Sequence, residues 1–147
     1  FGDAALSFAV GKISEEKQKL IDVTEKSLYL GIGQAVEKNR LGDVSNAIQT
    51  YVEDNGFSVV RDLCGHGVGK HLHEEPQIPN YGKKRNGPVL KNGMTLALEP
   101  MVNMGSYKVF VAEDGWTVLT LDGKPSAHFE HTIVIIDGKP EILTKCE

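Results

Sequence analysis

The sequence predicts an α+β fold, in which helices lie on one face of a curved antiparallel sheet. The order of elements carries this prediction: a strand, two helices and then a run of short apolar segments separated by turn residues. A chain of 147 residues, 40% hydrophobic and 24% charged, also has an ordinary globular composition and is long enough for a core. We therefore expect a single domain over residues 1–147.

The first predicted elements are a strand and a long helix. Apolar residues alternate with small or polar ones from Phe1 to Val10, which is typical of a strand. Ser14 then suits a helix N-cap, and the helix is expected to run to about Lys38. Gly31 and Gly33 within it indicate a close contact between helix and sheet. Its expected buried residues are Leu20, Val23, Leu28, Ile32, Ala35 and Val36.

A second helix is predicted with Asp43 as its cap and Asn55-Gly56 at its end. Helical spacing produces one apolar stripe, formed by Val44, Ala47, Ile48, Tyr51 and Val52.

The remainder of the chain is expected to be β structure with one long loop. A glycine-rich loop is predicted from Cys64 to Pro76, and Asp137-Gly138 forms a hairpin turn. The predicted strands are Phe57–Leu63, Met94–Val102 interrupted by Pro100, Lys108–Ala112, Thr117–Leu121, Ser126–Ile136 and Glu141–Leu143.

Composition excludes several functional classes. The net charge is −4, and the one basic run, 83–85, lies among Gly, Asn and Pro, which indicates a solvated loop and no nucleic-acid surface. Two cysteines, Cys64 and Cys146, do not make a disulfide framework. The sequence contains no secretory signal and no apolar run long enough for a bilayer. We expect a soluble cytoplasmic protein with neither nucleic acid nor membrane as a partner.

Glu99 and His66 are the strongest candidates for chemistry. Glu99 lies in the near-continuous apolar run Met94–Val102, and buried carboxylates are rare unless they are paired or bind metal. The alternative is an edge strand whose Glu faces water. His66 is bracketed by glycines, which permit close approach of another group. A flexible loop with an incidental His is its alternative interpretation.

Asp3 and Glu130 are weaker candidates when each is considered alone. Asp3 could be an ordinary residue at a strand end, and Glu130 shares a predicted strand face with His128 that could simply be solvated. Together, three carboxylates and one imidazole suit a divalent transition metal such as Mn, Fe, Co or Zn. Bridging carboxylates are also typical of two-metal hydrolases.

Five segments stand out in order along the chain: Cys64-Gly65-His66-Gly67-Val68-Gly69, His73-Glu74-Glu75-Pro76, Leu98-Glu99-Pro100-Met101-Val102, Asp114-Gly115-Trp116-Thr117 and Phe129-Glu130-His131-Thr132. Together with the Gly2-Asp3 strand, they resemble type I methionine aminopeptidases along the whole chain. The resemblance implies a pita-bread fold and metal-dependent removal of N-terminal methionine from nascent proteins and peptides by a metal-bound hydroxide.

The resemblance also implies roles for individual residues. Asp3 and Glu130 would bridge two metal ions, and His66 and Glu99 would complete the ligands of one of them. Glu99 would also shuttle a proton, and His73 would contact the scissile carbonyl. Trp116 and Leu72 would form walls of a methionine pocket.

The resemblance further implies that the chain is the C-terminal part of such an enzyme, because the family's first metal-ligand Asp and a second active-site His precede Asp3. We therefore expect a single partial catalytic domain that binds at most one ion tightly and has little or no peptidase activity. An exposed apolar surface and a monomeric intact protein are also expected. The alternatives are a non-catalytic pita-bread binding module and an Xaa-Pro peptidase; relatives of the latter carry Glu-Pro-Gly where this chain has Glu99-Pro100-Met101.

Overall fold

A short strand, two helices and a series of strands follow one another in the computed structural model, which describes residues 1–145. Cys146 lies outside the described residues. Helix α1 spans Glu15–Gln34 and α2 spans Leu41–Asp54. The strands are β1 Ala4–Ala5, β2 Ser58–Val59, β3 Gly65–Gly67, β4 Glu74–Ile78, β5 Thr95–Leu98, β6 Met101–Asn103, β7 Val109–Val111, β8 Val118–Thr120, β9 Ser126–His128, β10 Glu130–Ile136 and β11 Lys139–Ile142.

Helix α1 begins as predicted and ends earlier than predicted. The Ser14 hydroxyl accepts a hydrogen bond from the Lys17 amide at 3.3 Å, which confirms the N-cap. Beyond the end of the helix at Gln34, the chain bonds to other segments: Glu37 N–H donates to the Gly138 carbonyl and Lys38 N–H to that of Leu90. Lys38 itself has a φ of +74°, which is incompatible with continuation of the helix.

The contact between the two helices explains Gly31. A methyl group at Gly31 would lie 2.7 Å from the Ile48 side chain on α2. The glycine therefore permits a close contact between helices, and the predicted contact with the sheet was wrong. Helix α2 also begins before its predicted cap, with Arg40 as the N-cap. Asp43 still contributes to the cap of this helix, because its carboxylate accepts a hydrogen bond from the Arg40 amide at 2.8 Å.

The strands form a six-stranded sheet, in which β1, β10, β5, β3 and β4 are neighbours in that order and β11 pairs with β10. A second sheet has the order β2-β6-β9, and β7 and β8 form a separate hairpin. The pairings are antiparallel; α1 contacts strands of both larger sheets, and α2 packs on α1 and contacts β2 of the second sheet. The predicted α+β arrangement of a curved antiparallel sheet with helices on one face is confirmed.

Several strands are shorter than the sequence pattern predicts, because pairing with distant strands sets their limits. The strand predicted over Phe1–Val10 is reduced to Ala4–Ala5, which are the residues that pair with β10. The strand predicted over Phe57–Leu63 is reduced to Ser58–Val59, and the long strand predicted over Ser126–Ile136 breaks at Phe129. The break separates β9, which belongs to the second sheet, from β10, which belongs to the first.

Apolar side chains are exposed along the N-terminal segment. Phe1, Leu6, Phe8 and Val10 are each more than 60% exposed. Exposed apolar side chains also occur on the β7–β8 hairpin, where Phe110, Val111 and Leu119 face solvent. Neither described helix is long and apolar enough to cross a membrane.

Candidate metal centre

Four adjacent strands bring the four predicted ligands together at the junction of the two larger sheets. Asp3 immediately precedes β1, where Ala5 pairs with Glu130 of β10. The same strand, β10, pairs with β5, and His66 of β3 lies opposite Ala97 of β5. Glu99 occupies the break between β5 and β6. Residues 129 amino acids apart in sequence, such as Asp3 and Thr132, are thereby neighbours in space.

His66 presents one free nitrogen to this junction. Its side chain is buried, and its Nδ1 lies 3.0 Å from the Gly67 carbonyl oxygen, to which it donates a hydrogen bond. The Nε2 atom lies 3.7 Å from Asp3 Oδ2 and 3.6 Å from Glu99 Oε1. Those distances exceed hydrogen bonds but suit donors that share one metal ion. The alternative of a flexible loop is wrong, because His66 lies in a buried strand.

The glycines beside His66 are explained by close backbone approach. A methyl group at Gly65 would overlap the carbonyl oxygen of Ala97, and one at Gly67 would overlap that of Glu75. Neither glycine has a positive φ. Glycine is needed at both positions because β3 packs closely between β5 and β4.

Glu99 is largely buried beside two other carboxylates. Burial raises its pKa from 4.5 to about 8, with further contributions from the charges of Glu130 and Asp3. Its backbone carbonyl accepts a hydrogen bond from the buried Asn80 side chain at 3.0 Å, which fixes the break in the strand. The alternative in which Glu99 faces water from an edge strand is wrong, because its side chain is only 16% exposed.

The carboxylates of this cluster repel one another, and a bound cation would offset that repulsion. Glu130 is buried, and its Oε1 atom has no hydrogen-bond partner among the described residues. Its Oε2 atom lies 3.8 Å from His128 Nε2. Ligand atoms of His66, Glu99 and Glu130 lie within 4.8 Å of one another, as do those of Asp3, His66 and His73. Carboxylate and imidazole donors in this arrangement suit a divalent ion.

Thr132 holds the backbone of Asp3 in place, a role that was not predicted from the sequence. Its hydroxyl accepts a hydrogen bond from the Asp3 amide and donates one to the Asp3 carbonyl, both at 2.8 Å. Thr132 is fully buried. The signal available in the sequence was a hydroxyl residue within the apolar run that follows Glu130.

Replacing Thr132 with Val is therefore expected to release Asp3 while preserving the shape of the core. Leaving two backbone groups of Asp3 without their partner should cost about 1–3 kcal/mol of unfolding free energy. Metal affinity should fall about 10–100-fold, as is typical when a residue that orients a ligand is lost. Denaturant unfolding and metal titration measure the two effects, and Thr50→Val on the exposed face of α2 is the control. Unchanged metal affinity in Thr132→Val would contradict the role.

The remaining predicted site residues differ in how close they lie to this cluster. The His73 ring lies 4.2 Å from that of His66, centroid to centroid, in an edge-on arrangement. Leu72 is half-buried in the same segment, whereas Trp116 is 88% exposed at the end of the β7–β8 hairpin. An apolar cleft of about 360 Å³ opens between this hairpin and the second sheet and reaches His128. Its apolar lining residues are Val60, Leu63, Met101, Val109, Val118 and Leu119.

The family model of metallopeptidase family M24 matches residues 1–137. The chain belongs to metallopeptidase family M24. Among its family M24 relatives, methionine aminopeptidase of Clostridium perfringens is 60% identical over 142 residues, which are 97% of this chain and 57% of that protein. Methionine aminopeptidase 1 of Bacillus subtilis is 56% identical over 98% of this chain and 58% of its own length. The chain thus spans less than two thirds of these relatives.

Solved structures of family M24 proteins agree with this assignment. Methionine aminopeptidase from Thermotoga maritima superimposes with a TM-score of 0.97 at 54% identity, over 99% of this chain and 58% of that one. A prolidase from Pyrococcus horikoshii, 19% identical with a TM-score of 0.73 over 99% of this chain and 36% of that one, shares the fold alone. The resemblance to type I methionine aminopeptidases and the pita-bread fold are both confirmed. Family membership and the donor groups together support the use of a divalent metal ion.

Proposed function

We propose that this chain carries the metal centre of a methionyl aminopeptidase, which removes the N-terminal methionine from nascent proteins and peptides. The observation that carries the proposal is the convergence of Asp3, His66, Glu99 and Glu130 from four separate segments upon one junction. High identity to proteins named methionine aminopeptidase supports the choice of substrate over an Xaa-Pro peptide or a non-catalytic role. A binding module would have no need for three partly buried carboxylates.

The proposed cofactor is one tightly held divalent ion, of Mn, Fe, Co or Zn. Asp3, His66, Glu99 and Glu130 would hold it. When bound, such an ion polarises a carbonyl and lowers the pKa of water. The residues of the chain have their own tasks: the carboxylate of Glu99 exchanges a proton with the attacking water, and His73 donates a hydrogen bond to the carbonyl oxygen as negative charge develops there.

The peptide would lie across the open side of the cluster. His73 is exposed beside His66, and the apolar cleft beside His128 is available for a substrate side chain. Trp116 and Leu72 are proposed as walls of the methionine pocket, because an indole offers a large apolar surface to a thioether. The proposed compartment is the cytoplasm, which agrees with the low number of cysteines. A monomeric intact protein without nucleic-acid or membrane partners also remains a prediction.

The function is tested by measuring release of free methionine from a Met-Ala-Ser peptide at high protein concentration. We expect slow release that requires a divalent ion and stops with a chelator. An Ala-Pro dipeptide should not be cleaved, and Glu99→Gln protein from the same preparation is the control for contaminating peptidases. Release that is equal in wild-type and Glu99→Gln protein, or preferential cleavage of Ala-Pro, would contradict the proposal.

Metal binding is expected to release a proton from Glu99. In protein stripped of metal, a pKa of about 8 keeps this carboxyl mainly protonated at pH 7, and an ion must displace that proton. Calorimetry at pH 7 in two buffers of different ionisation enthalpy should therefore report release of about one proton per ion. At pH 9 the carboxyl is already ionised, so release should approach zero. Heats that do not depend on the buffer at pH 7 would contradict this expectation.

A further inference from the structure

Arg61 lies between two tyrosine rings, away from the metal centre. Its guanidinium carbon is 4.3 Å from the centroid of the Tyr107 ring and 5.4 Å from that of the Tyr81 ring. A guanidinium group within about 6 Å of an aromatic centroid is attracted by the electrons of the ring. Glu53 Oε1 lies 4.0 Å from Arg61 Nη2, and an ion pair this long between exposed side chains contributes little. The two rings are therefore the main partners of Arg61.

The two rings belong to different parts of the molecule. Tyr81 follows β4 and packs against the hydrophobic core, and its neighbour Asn80 donates a hydrogen bond to the Glu99 carbonyl. Tyr107 is 36% exposed and lies two residues before the start of β7. Arg61 therefore connects the core beside Glu99 to the base of the β7–β8 hairpin.

The hairpin receives little support from the two larger sheets. Strands β7 and β8 pair with each other and with neither of those sheets. The hydrogen bonds at its base join residues of one short stretch of chain: Ser106 N–H donates to Asp122 Oδ2 at 2.8 Å, and Asn103 Nδ2 donates to the Ser106 carbonyl at 2.9 Å. A two-stranded hairpin alone is marginally stable in water. The orientation of this hairpin therefore depends on side-chain contacts such as that between Arg61 and Tyr107.

The hairpin also forms one wall of the apolar cleft of about 360 Å³ that reaches His128. Val109 and Val118 line the cleft from the hairpin. Val60 and Leu63, on either side of Arg61 in the sequence, line it from the body of the molecule. The stack of Arg61 on Tyr107 thus joins the two walls and fixes the distance between them.

We propose that Arg61 is a positioning residue, which holds the β7–β8 hairpin over the cleft by stacking between Tyr81 and Tyr107. It thereby sets how tightly the cleft binds an apolar side chain such as that of methionine. Because Arg61 acts through a wall of the cleft and not on the reacting atoms, it governs KM and leaves kcat unchanged. The identity of the bound side chain rests on the proposed function, whereas the role of the stack in holding the hairpin does not.

The motion of the hairpin is measured through Trp116, which is the sole tryptophan of the chain and lies between β7 and β8. Loss of an exposed cation–π contact should raise the population of the released hairpin about two- to fivefold. In time-resolved fluorescence anisotropy of the 147-residue chain, the amplitude of nanosecond segmental motion should rise accordingly in Arg61→Met and in Tyr107→Leu. Tyr107→Phe keeps the aromatic ring and should behave as the wild type.

Two further variants separate the stack from the charge of Arg61. Arg85→Met removes an exposed arginine that lies over no aromatic ring among the described residues. Glu53→Gln removes the weak ion pair and keeps the stack. Both should leave the motion of Trp116 unchanged. Unchanged motion in Arg61→Met and Tyr107→Leu, or equal motion in Tyr107→Phe and Tyr107→Leu, would overturn the inference.

The kinetics of methionine release distinguish positioning from general destabilisation. Arg61→Met should raise KM for the Met-Ala-Ser peptide about two- to fivefold and leave kcat unchanged. Partial unfolding would instead reduce the active fraction and so lower kcat. An unchanged KM, or a fall in kcat at constant KM, would contradict the positioning role. Absence of methionine release from wild-type protein would count against the proposed function alone, because the motion of Trp116 tests the stack without it.

Discussion

Replacing Glu99 with Gln is expected to weaken Mn²⁺ binding about 100-fold or more and to stop methionine release. Glutamine has the same shape but offers a neutral amide in place of a carboxylate ligand, so the loss is larger than that caused by a residue that only orients a ligand. The proton acceptor proposed for the attacking water is removed by the same change.

The same substitution is expected to stabilise the protein stripped of metal. The pKa of Glu99 is raised from 4.5 to about 8 in the folded state, so ionising it costs folding free energy. Its contribution to stability is fully present below pH 4.5 and is lost as the pH rises through about 8. Above that pH, chelator-treated Glu99→Gln protein should therefore unfold at higher denaturant concentration than the wild type. Glu113→Gln, in the exposed turn of the β7–β8 hairpin, is the control.

Glu99→Gln is thus expected to lower metal affinity and to raise the stability of the metal-free protein. This combination is specific to a buried metal ligand. If Glu99 merely stabilised the fold, its replacement would destabilise the protein and leave metal affinity unchanged. Glu99→Gln protein that binds Mn²⁺ as well as the wild type would contradict the assignment of Glu99 as a ligand.

Alanine at Gly65 is expected to have the largest effect on folding. A methyl group there would overlap the Ala97 carbonyl oxygen of the neighbouring strand, and a backbone atom cannot rotate away as a side chain can. Separation of β3 from β5 should cost about 3 kcal/mol or more of unfolding free energy, at the upper end of overpacking effects. It should also displace His66 and weaken metal binding.

A glycine in open surroundings provides the matched control. Gly33 lies in α1, and a methyl group there would meet no atom within 4 Å. Gly33→Ala should therefore stabilise the protein by about 0.5–1 kcal/mol, because alanine loses less backbone entropy in a helix. Denaturant unfolding of the two variants measures both effects. If Gly65→Ala protein were as stable as the wild type, the close approach of β3 to β5 would be contradicted.

Local chemistry made the main parts of the fold predictable. The cap at Ser14, the turn at Asp137-Gly138 and the interruption at Pro100 depend on neighbouring residues, and each lies where the sequence predicts. Glu99 could be recognised because a carboxylate within an apolar run is physically anomalous. Asp3 carried no such signal, since its surroundings come from Glu130 and His66, which are distant in sequence.

Strand limits were not predictable, because they depend on which partner lies alongside. The segment Ser126–Ile136 has a continuous strand pattern, yet it divides at Phe129 between two sheets. The same applies to His66, whose glycine neighbours suggest a loop but in fact permit a tightly packed strand. The roles of Thr132 and Asn80 were hidden for the same reason, since each acts on the backbone of a residue that only the folded chain brings near.

The most direct test of the central claim, that these strands assemble one metal centre, is anomalous diffraction from crystals of the 147-residue chain grown with Mn²⁺. We predict one strong peak at about 2.0–2.4 Å from His66 Nε2 and from the carboxylates of Asp3, Glu99 and Glu130. The absence of a peak at full Mn²⁺ loading, or a peak away from all four side chains, would contradict a shared metal centre.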